Sequence, residues 1–406
     1  MSVPVEVDGV EIEVVSGGVT APAGFRAAGV HSGVKRQKKD LSLIVSDRDA
    51  ACAGTYTTNR VKAAPLLVTK KHVELRRPVR AVVVNSGNAN ACNGPQGMED
   101  ALAMVNKTAS VLGVEPEQVL VASTGVIGVP LALDKILPGI EQAASQLSAA
   151  GAGDAAFGIM TTDTVPKEIA VRCGGFSIGA MAKGSGMIHP NMATMLAFIT
   201  TDAEVAWPLL EASLKEAVAK SFNMISVDGD TSTNDMVLVL ANGASGVKVE
   251  PGTKEEARFS RALEYVCTEL AKMIVRDGEG ATKLIEVRVR GARSVEDARL
   301  AVRAITRSPL VKTAIFGEDA NWGRILCAAG YSGAELVLEN VRVELGDILV
   351  FDRGAGVPFD EGAAKEVLAQ KDVVITVDLG AGDAEATGWT CDLTYEYVRI
   401  NADYRT

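Results

Sequence analysis

The sequence has few histidines, no closely spaced cysteines and no long apolar run, and each shortage argues against a class of protein. His31, His72 and His189 are its only histidines, so a histidine-rich metal centre is not expected and a histidine-based triad has few candidates. The six cysteines lie at least 40 positions apart, which offers no Cys-x-x-Cys metal or redox pair and suits a reducing cytoplasm. The longest apolar run, Met236–Ala241, is far shorter than the ~20 residues of a membrane helix.

Basic residues are also outnumbered. The 406 residues include 41 Lys and Arg against 51 Asp and Glu, a net charge of −10, and no basic run offsets this balance, so nucleic acid is not an expected partner. Hydrophobic residues make up 47%, enough for a large core and, at ~150 residues each, two or three domains. Residues 1–8 lack the basic and apolar regions of a secretory signal, so we expect a cytoplasmic protein.

Short apolar stretches alternate with single long periodic segments, and this order predicts a layered α/β sandwich with mixed, largely antiparallel sheets. Ser294 with Asp297 three residues later predicts a helix N-cap. The predicted strands are 41–46, 81–85, 119–122, 195–200, 236–241, 284–289, 373–377 and 394–400, and the predicted helices are 99–112, 131–147, 207–222, 255–275 and 295–305.

The most unusual stretch, residues 181–200, contains Lys183 in a Lys-Gly-Ser-Gly turn, then Pro190, and Thr194 at the mouth of an apolar strand. A threonine there is usually structural. It gains a chemical role if the bond between Ala193 and Thr194 is cut, because the new α-amino group, with a reference pKa of ~8, can act as base for its own hydroxyl. One residue would then supply both nucleophile and base, which suits a histidine-poor chain.

Four further segments are candidates for the site, each with a plain structural alternative. Ser123-Thr124-Gly125 follows an apolar strand and can form either an oxyanion-binding turn or an ordinary one. Thr161 and Thr162 stand beside Asp163 and suit a small polar ligand or turn hydrogen bonds. Glu279, between two glycines, suits a bound cation or a helix-ending turn. The tail that contains Asn401 and Thr406 needs independent support, because termini are usually frayed.

Taken together and in order, these segments resemble the ornithine acetyltransferase family, also called glutamate N-acetyltransferase. The match extends over nearly the whole chain, from Ser123–Gly128 through the 183–196 segment to Gly278–Lys283 and the tail. The resemblance implies an α/β fold similar to N-terminal-nucleophile hydrolases with different connectivity. It also implies cleavage into residues 1–193 and 194–406, which fold together and assemble as an α2β2 tetramer or a larger oligomer.

The resemblance further implies a ping-pong transfer of acetyl from N2-acetylornithine to glutamate through an acetyl-Thr194 ester, as a step of arginine biosynthesis. It implies no metal and no cofactor, with acetyl-CoA as a second candidate donor. Its implied residues are Thr194 as nucleophile, Ala193 and Thr194 at the cleaved bond, Thr124 and Gly125 as oxyanion hole, and Thr161 (or its neighbour Thr162), Lys183, Thr194, Glu279, Asn401 and Thr406 as substrate contacts.

Two other functions stay open on the sequence. An N-terminal-nucleophile amidase or aminopeptidase would use the same Thr194 with water as acceptor. A binding protein without catalysis would keep the chain uncut and Thr194 structural. A denaturing gel separates the second alternative from the enzymes, and a glutamate-dependent transfer assay separates transferase from hydrolase.

Overall fold

The computed structural model describes residues 3–189 and 195–403 of the chain. The strands of this part of the chain are β1 (Val3–Val7), β2 (Val10–Val15), β3 (Phe25–Val30), β4 (Leu41–Tyr56), β5 (Val79–Asn88), β6 (Val119–Val126), β7 (Lys167–Cys173), β8 (Phe176–Lys183), β9 (Leu196–Thr201), β10 (Glu204–Val205), β11 (Ile225–Ser226), β12 (Met236–Ala241), β13 (Lys248–Val249), β14 (Leu284–Ala292), β15 (Arg342–Leu345), β16 (Ile348–Asp352), β17 (Ala355–Gly356), β18 (Asp372–Asp378) and β19 (Ala384–Cys391).

The helices follow the same chain order. They are α1 (Ala64–Glu74), α2 (Gly94–Leu112), α3 (Leu133–Ser145), α4 (Ala152–Ile159), α5 (Trp207–Lys220), α6 (Lys254–Arg276), α7 (Val295–Arg307), α8 (Pro309–Phe316), α9 (Trp322–Gly330), α10 (Glu361–Leu368) and α11 (Tyr395–Asp403), with short 3-10 helices at Gly18–Thr20, Pro116–Gln118 and Phe222–Met224.

Most of these strands form two large sheets, and β10 and β13 pair as a separate two-stranded sheet. The first runs β1-β2-β7-β8-β9-β12-β4-β5-β6, with β3 also paired to β4, and the second runs β11-β19-β14-β18-β15-β16-β17. In the first sheet only β9 with β12 and β5 with β6 are parallel, and in the second only β11 with β19 and β14 with β18 are parallel. The mixed, largely antiparallel α/β architecture predicted from the sequence is therefore confirmed.

The largest hydrophobic core lies between the two sheets. Helix α6 contacts β7 and β8 of the first sheet and β14 and β19 of the second. Its apolar side chains, including the fully buried Phe259 and Leu263, join Ile178 of β8 and Val287 of β14 in this core. Burial of one such side chain contributes roughly 1.5–3 kcal/mol to stability, so α6 helps to hold the two sheets together.

The bond predicted to be cut falls between two neighbouring strands of the first sheet. Strands β8 and β9 pair antiparallel, with Lys183 opposite Leu196. Strand β9 in turn pairs with β12, and β12 pairs with β4. The sheet thus combines strands from residues 1–193 and residues 194–406 edge to edge.

Most predicted elements are present, with different ends. The strand Met236–Ala241 has the predicted bounds, and the Ser294 hydroxyl accepts from the backbone N–H of Asp297 at 3.1 Å, as a helix N-cap does. The prediction of a strand over 394–400 is wrong, because this segment belongs to α11. Within residues 3–189 and 195–403 this segment pairs with no strand. The Thr394 hydroxyl accepts from the N–H of Glu396 at 3.2 Å, which favours a helix start.

Within residues 3–189 and 195–403, no helix has both the length and the apolar character that a membrane span requires.

Candidate active site

A cavity of about 270 Å³ opens at the end of the first sheet, where β6, β8 and α11 approach each other. Its wall contains six residues predicted as site residues, which are Thr124, Gly125, Thr161, Lys183, Glu279 and Asn401. Thr162, the alternative to Thr161, lines it as well. Residues up to 277 positions apart in the sequence therefore share one small space.

Thr124 and Gly125 lie at the end of β6, beside the parallel strand β5. Gly125 has φ +130°, and a Cβ there would lie 2.3 Å from the backbone carbonyl carbon of Gly87. Only glycine fits both the backbone conformation and this close approach. A hydrogen bond also stabilises the turn, since Asn234 donates from Nδ2 to the carbonyl of Ser123 at 2.8 Å. The backbone at Thr124 and Gly125 is consequently closely packed against β5, and both residues line the cavity.

Lys183 is the last residue of β8, and its side chain is 8% exposed. Its ammonium makes no hydrogen bond or ion pair with any residue in the described ranges, although it faces a cavity with carboxylates nearby. Burial lowers the pKa of this amine, and the charges of Asp163 and Glu279 oppose that effect. A buried ammonium of this kind is costly unless an anion binds it, so Lys183 is suited to an anionic ligand.

Glu279 carries the opposite charge on the same cavity. It is 8% exposed, and its Oε2 accepts from Asn401 Nδ2 at 2.8 Å. A Cβ at Gly186 would lie 2.4 Å from the Glu279 carboxylate, so the glycine permits the turn after β8 to pass directly beside it. The cavity thus presents both an ammonium and a carboxylate to one ligand.

Sequence reasoning missed a polar segment, residues 228–235, between β11 and β12. Asp228, Asp230, Ser232, Thr233, Asn234 and Asp235 all line the cavity. The signal was visible as an uninterrupted polar run, Asp-Gly-Asp-Thr-Ser-Thr-Asn-Asp, directly before a fully apolar strand. Tyr397 was missed as well, because its segment was interpreted as a strand. This residue lines the cavity four residues before Asn401 on α11.

The polar segment fastens the chain just before the predicted cleavage bond. Asp228 accepts from the backbone N–H groups of Met187 at 2.6 Å and Ile188 at 2.9 Å. The Thr231 hydroxyl donates to the carbonyl of His189 at 2.8 Å. Burial, with Arg307 and Arg303 nearby, lowers the pKa of His189 to about 4, so its imidazole is neutral at pH 7.

Ala193, Thr194 and Thr406 lie outside the described residues. The cavity is lined by Met187, which precedes Ala193 and Thr194 in the chain, and by Met195 and Leu196, which follow them. In the described part of the chain, no group of three His, Cys, Asp or Glu side chains is arranged to hold a metal ion.

Comparison with known proteins identifies the family. The family model described as the ArgJ family matches residues 26–406. This chain belongs to the ArgJ family. The ArgJ-family relatives include the arginine biosynthesis bifunctional protein ArgJ of Symbiobacterium thermophilum, 58% identical over 403 residues, covering 97% of this chain and 100% of the relative. The protein of the same name from Caldanaerobacter subterraneus is 53% identical over 404 residues, with 97% and 100% covered.

A solved structure is similar too. The crystal structure of arginine biosynthesis bifunctional protein ArgJ from Bacillus halodurans matches with a TM-score of 0.51 and 47% identity, covering 52% of this chain and 100% of the solved chain. The family match confirms two predictions from the sequence: that the chain belongs to this family and that it is an enzyme. The chain is an enzyme of the ArgJ family.

Proposed function

We propose that this ArgJ-family enzyme is a glutamate N-acetyltransferase that moves acetyl from N2-acetylornithine to glutamate. The Thr194 hydroxyl attacks the acetyl carbonyl carbon, the amide C–N bond breaks, and ornithine leaves with the proton that the hydroxyl gave up. The glutamate amine then attacks the acetyl-Thr194 ester, which forms N-acetylglutamate and restores the hydroxyl. The α-amino group of Thr194 serves as the base in both halves.

One observation supports this function above the others: the cavity holds the Lys183 ammonium and the Glu279 carboxylate together. Ornithine has an α-carboxylate and a side-chain ammonium, so it is complementary to this pair of charges. Glutamate shares the α-carboxylate and can use the same Lys183 contact. One site can therefore take the two amino acids in turn, as a ping-pong reaction requires.

Thr124 and Gly125 are proposed as the oxyanion hole. They end β6, where Gly125 pairs with Gly87 of β5 and the Asn234 amide binds the carbonyl of the preceding Ser123, and both line the cavity. A donor fixed in advance stabilises a developing oxyanion because it need not reorganise during the reaction, and loss of one such donor costs about 10²–10³ in kcat. Thr161, Asn401 and Thr406 are proposed as further substrate contacts.

Self-cleavage between Ala193 and Thr194 is part of the proposal. Met187 and Met195, on either side of this segment, line the cavity. The pairing of β8 with β9 would keep the two chains together after the cut, and we propose an α2β2 assembly of them.

The relatives' names, arginine biosynthesis bifunctional protein, support a place for this reaction in arginine biosynthesis and make acetyl-CoA the second donor to test. We further propose the cytoplasm as its location. All six cysteines are free thiols in the structure, four of them buried, which fits a reducing compartment.

The function is tested by a transfer assay on purified protein together with a denaturing gel. We expect two fragments, the second beginning Thr-Met-Leu-Ala by Edman sequencing, and N-acetylglutamate formed from N2-acetylornithine only when glutamate is present. Thr194→Ala should stay one uncut chain without transfer. Acetate release independent of glutamate would instead identify the amidase, and one intact chain in active wild-type protein would contradict the mechanism.

A further inference from the structure

A fully buried lysine lies behind the cavity wall. Lys167, at the start of β7, is 1% exposed, and its ammonium donates to Asp163 Oδ1 at 2.7 Å and to Asp277 Oδ2 at 2.5 Å. Lysine is almost never buried to this extent unless it is paired. None of the three residues lines the cavity, and neither the proposed mechanism nor the resemblance assigns them a role.

Asp163 connects this lysine to two of the segments that line the cavity, those of Thr161 and Lys183. Its Oδ2 accepts from the backbone N–H of Thr161 at 2.9 Å, and its Oδ1 accepts from the N–H of Gly184, next to Lys183, at 2.7 Å. Asp277 belongs to the third segment, two residues before Glu279, which lines the cavity. The Ser185 hydroxyl donates to the Asp277 carbonyl at 2.6 Å and so joins this segment to the turn after β8. Substrate contacts proposed on three separate segments are thus fastened to one buried ion-pair network.

The charges in this network decide what Lys183 can bind. Burial by itself would raise the pKa of Asp163, but Lys183, Lys167 and the hydrogen bond from the Gly184 N–H together outweigh burial and lower that pKa to about 2. Asp163 is therefore an anion attracted to two ammonium groups. It makes its ion pair with Lys167, whereas Lys183 has no ion pair within residues 3–189 and 195–403.

We propose that Lys167 is a positioning residue: by neutralising Asp163 it keeps the Lys183 ammonium available for the α-carboxylate of the substrate. The inference rests on the proposed function, in which the cavity binds amino acids by that carboxylate. Removing the Lys167 charge leaves Lys183 as the remaining ammonium that lowers the pKa of Asp163 and makes the region more negative. Both effects weaken carboxylate binding, because Asp163 then competes with the substrate for one ammonium.

The test compares two acetyl donors that differ in the carboxylate alone. N-acetylputrescine is N2-acetylornithine without its α-carboxylate. The measured quantity is the ratio of kcat/KM for the two donors, with glutamate as acceptor. We expect wild type to prefer N2-acetylornithine and Lys167→Met to lose about tenfold of that preference, mainly through a higher KM. A merely structural role would lower kcat/KM for both donors alike and leave the ratio unchanged.

Asp277→Asn is the matched control. It breaks the same Lys167–Asp277 ion pair but leaves Lys167 on Asp163 and removes a negative charge, so the donor ratio should not fall below the wild-type value even if the rate falls. The double variant Lys167→Met with Asp163→Asn removes the competing anion as well, and should recover part of the lost ratio. An unchanged ratio in Lys167→Met, or an equal loss in Asp277→Asn, would overturn the proposal.

Folding is checked by thermal melting and by processing on a denaturing gel. If Lys167→Met does not fold, Asp163→Asn by itself tests the proposal. This variant removes the anion that competes for Lys183, so the ratio of kcat/KM for the two donors should not fall below the wild-type value. A lower ratio would overturn the proposal. A wild type that transfers from both donors equally well would refute this inference and leave the proposed function standing. A wild type with no transfer from N2-acetylornithine refutes both.

Discussion

Asn401 Nδ2 donates a hydrogen bond to Glu279 Oε2 at 2.8 Å, joining two residues 122 positions apart on the wall of one cavity. Asn401 also donates to the carbonyl of Tyr397, one turn earlier in α11. The last helix of the described chain therefore holds the orientation of the carboxylate that we propose binds the ornithine ammonium.

Glu279→Gln should raise the KM for N2-acetylornithine by about ten- to a hundredfold, the worth of one hydrogen bond to a charged group. Glutamine can still accept from Asn401, so the change removes charge and little else. The KM for glutamate, which has no side-chain ammonium, should not rise. Glu279→Lys should impair deacetylation of N2-acetylornithine more strongly. Steady-state kinetics with each substrate varied will check this, and unchanged kinetics would remove Glu279 from the ornithine site.

Gly186→Ala should act on the same carboxylate without altering any charge. The new Cβ would lie 2.4 Å from the Glu279 carboxylate, which must move away and lose its hydrogen bond with Asn401. We expect a several-fold higher KM for N2-acetylornithine. Gly330→Ala is the control, since a Cβ there meets nothing within 4 Å. Equal kinetics for the two variants would show that Glu279 need not stay in place.

Asp228→Asn should slow self-cleavage by about tenfold. Its carboxylate accepts from the backbone N–H of Met187 on one oxygen and from those of Ile188 and Asp230 on the other. An amide has a single oxygen, so its N–H₂ group would face at least one of these donors. Asp202 also accepts one backbone N–H on each carboxylate oxygen, those of Ala23 and Ser177, so Asp202→Asn is a matched control. Fragment appearance with time, followed on denaturing gels, should separate the two; normal processing in Asp228→Asn would argue against this anchor.

The free energy of unfolding should fall as the pH drops from about 6.5 to 4. His189 has a pKa of about 4 in the folded chain against ~6.5 when unfolded. The unfolded state therefore binds the proton first, and stability present above pH 6.5 is lost on acidification, by up to about 3 kcal/mol. Denaturant titrations at several pH values should show a weaker pH dependence in His189→Asn. His31→Asn, at an exposed histidine, should keep the wild-type dependence, and identical slopes in both would contradict the assignment.

Local sequence signals predicted the interior of the fold well. Runs such as Met236–Ala241 can only be buried, and Ser294 carries its capping partner three residues away. Strand β8 was missed because its sequence, Phe-Ser-Ile-Gly-Ala-Met-Ala-Lys, is rich in small residues with weak strand preference. It forms a strand because β7 and β9 pair with it on both sides.

The sequence by itself determined the chemistry that was available: one lysine and one glutamate in glycine-rich turns, a Thr-Gly after an apolar strand, and scarce histidine. Only the tertiary structure decided which of these groups meet. It made residues 395–403 a helix, so that Tyr397 and Asn401 face one cavity, and it enclosed Lys167, a residue type normally at the surface, between two carboxylates. The reason is physical: apolar burial depends on local composition, whereas the placement of charges depends on partners far apart in the chain.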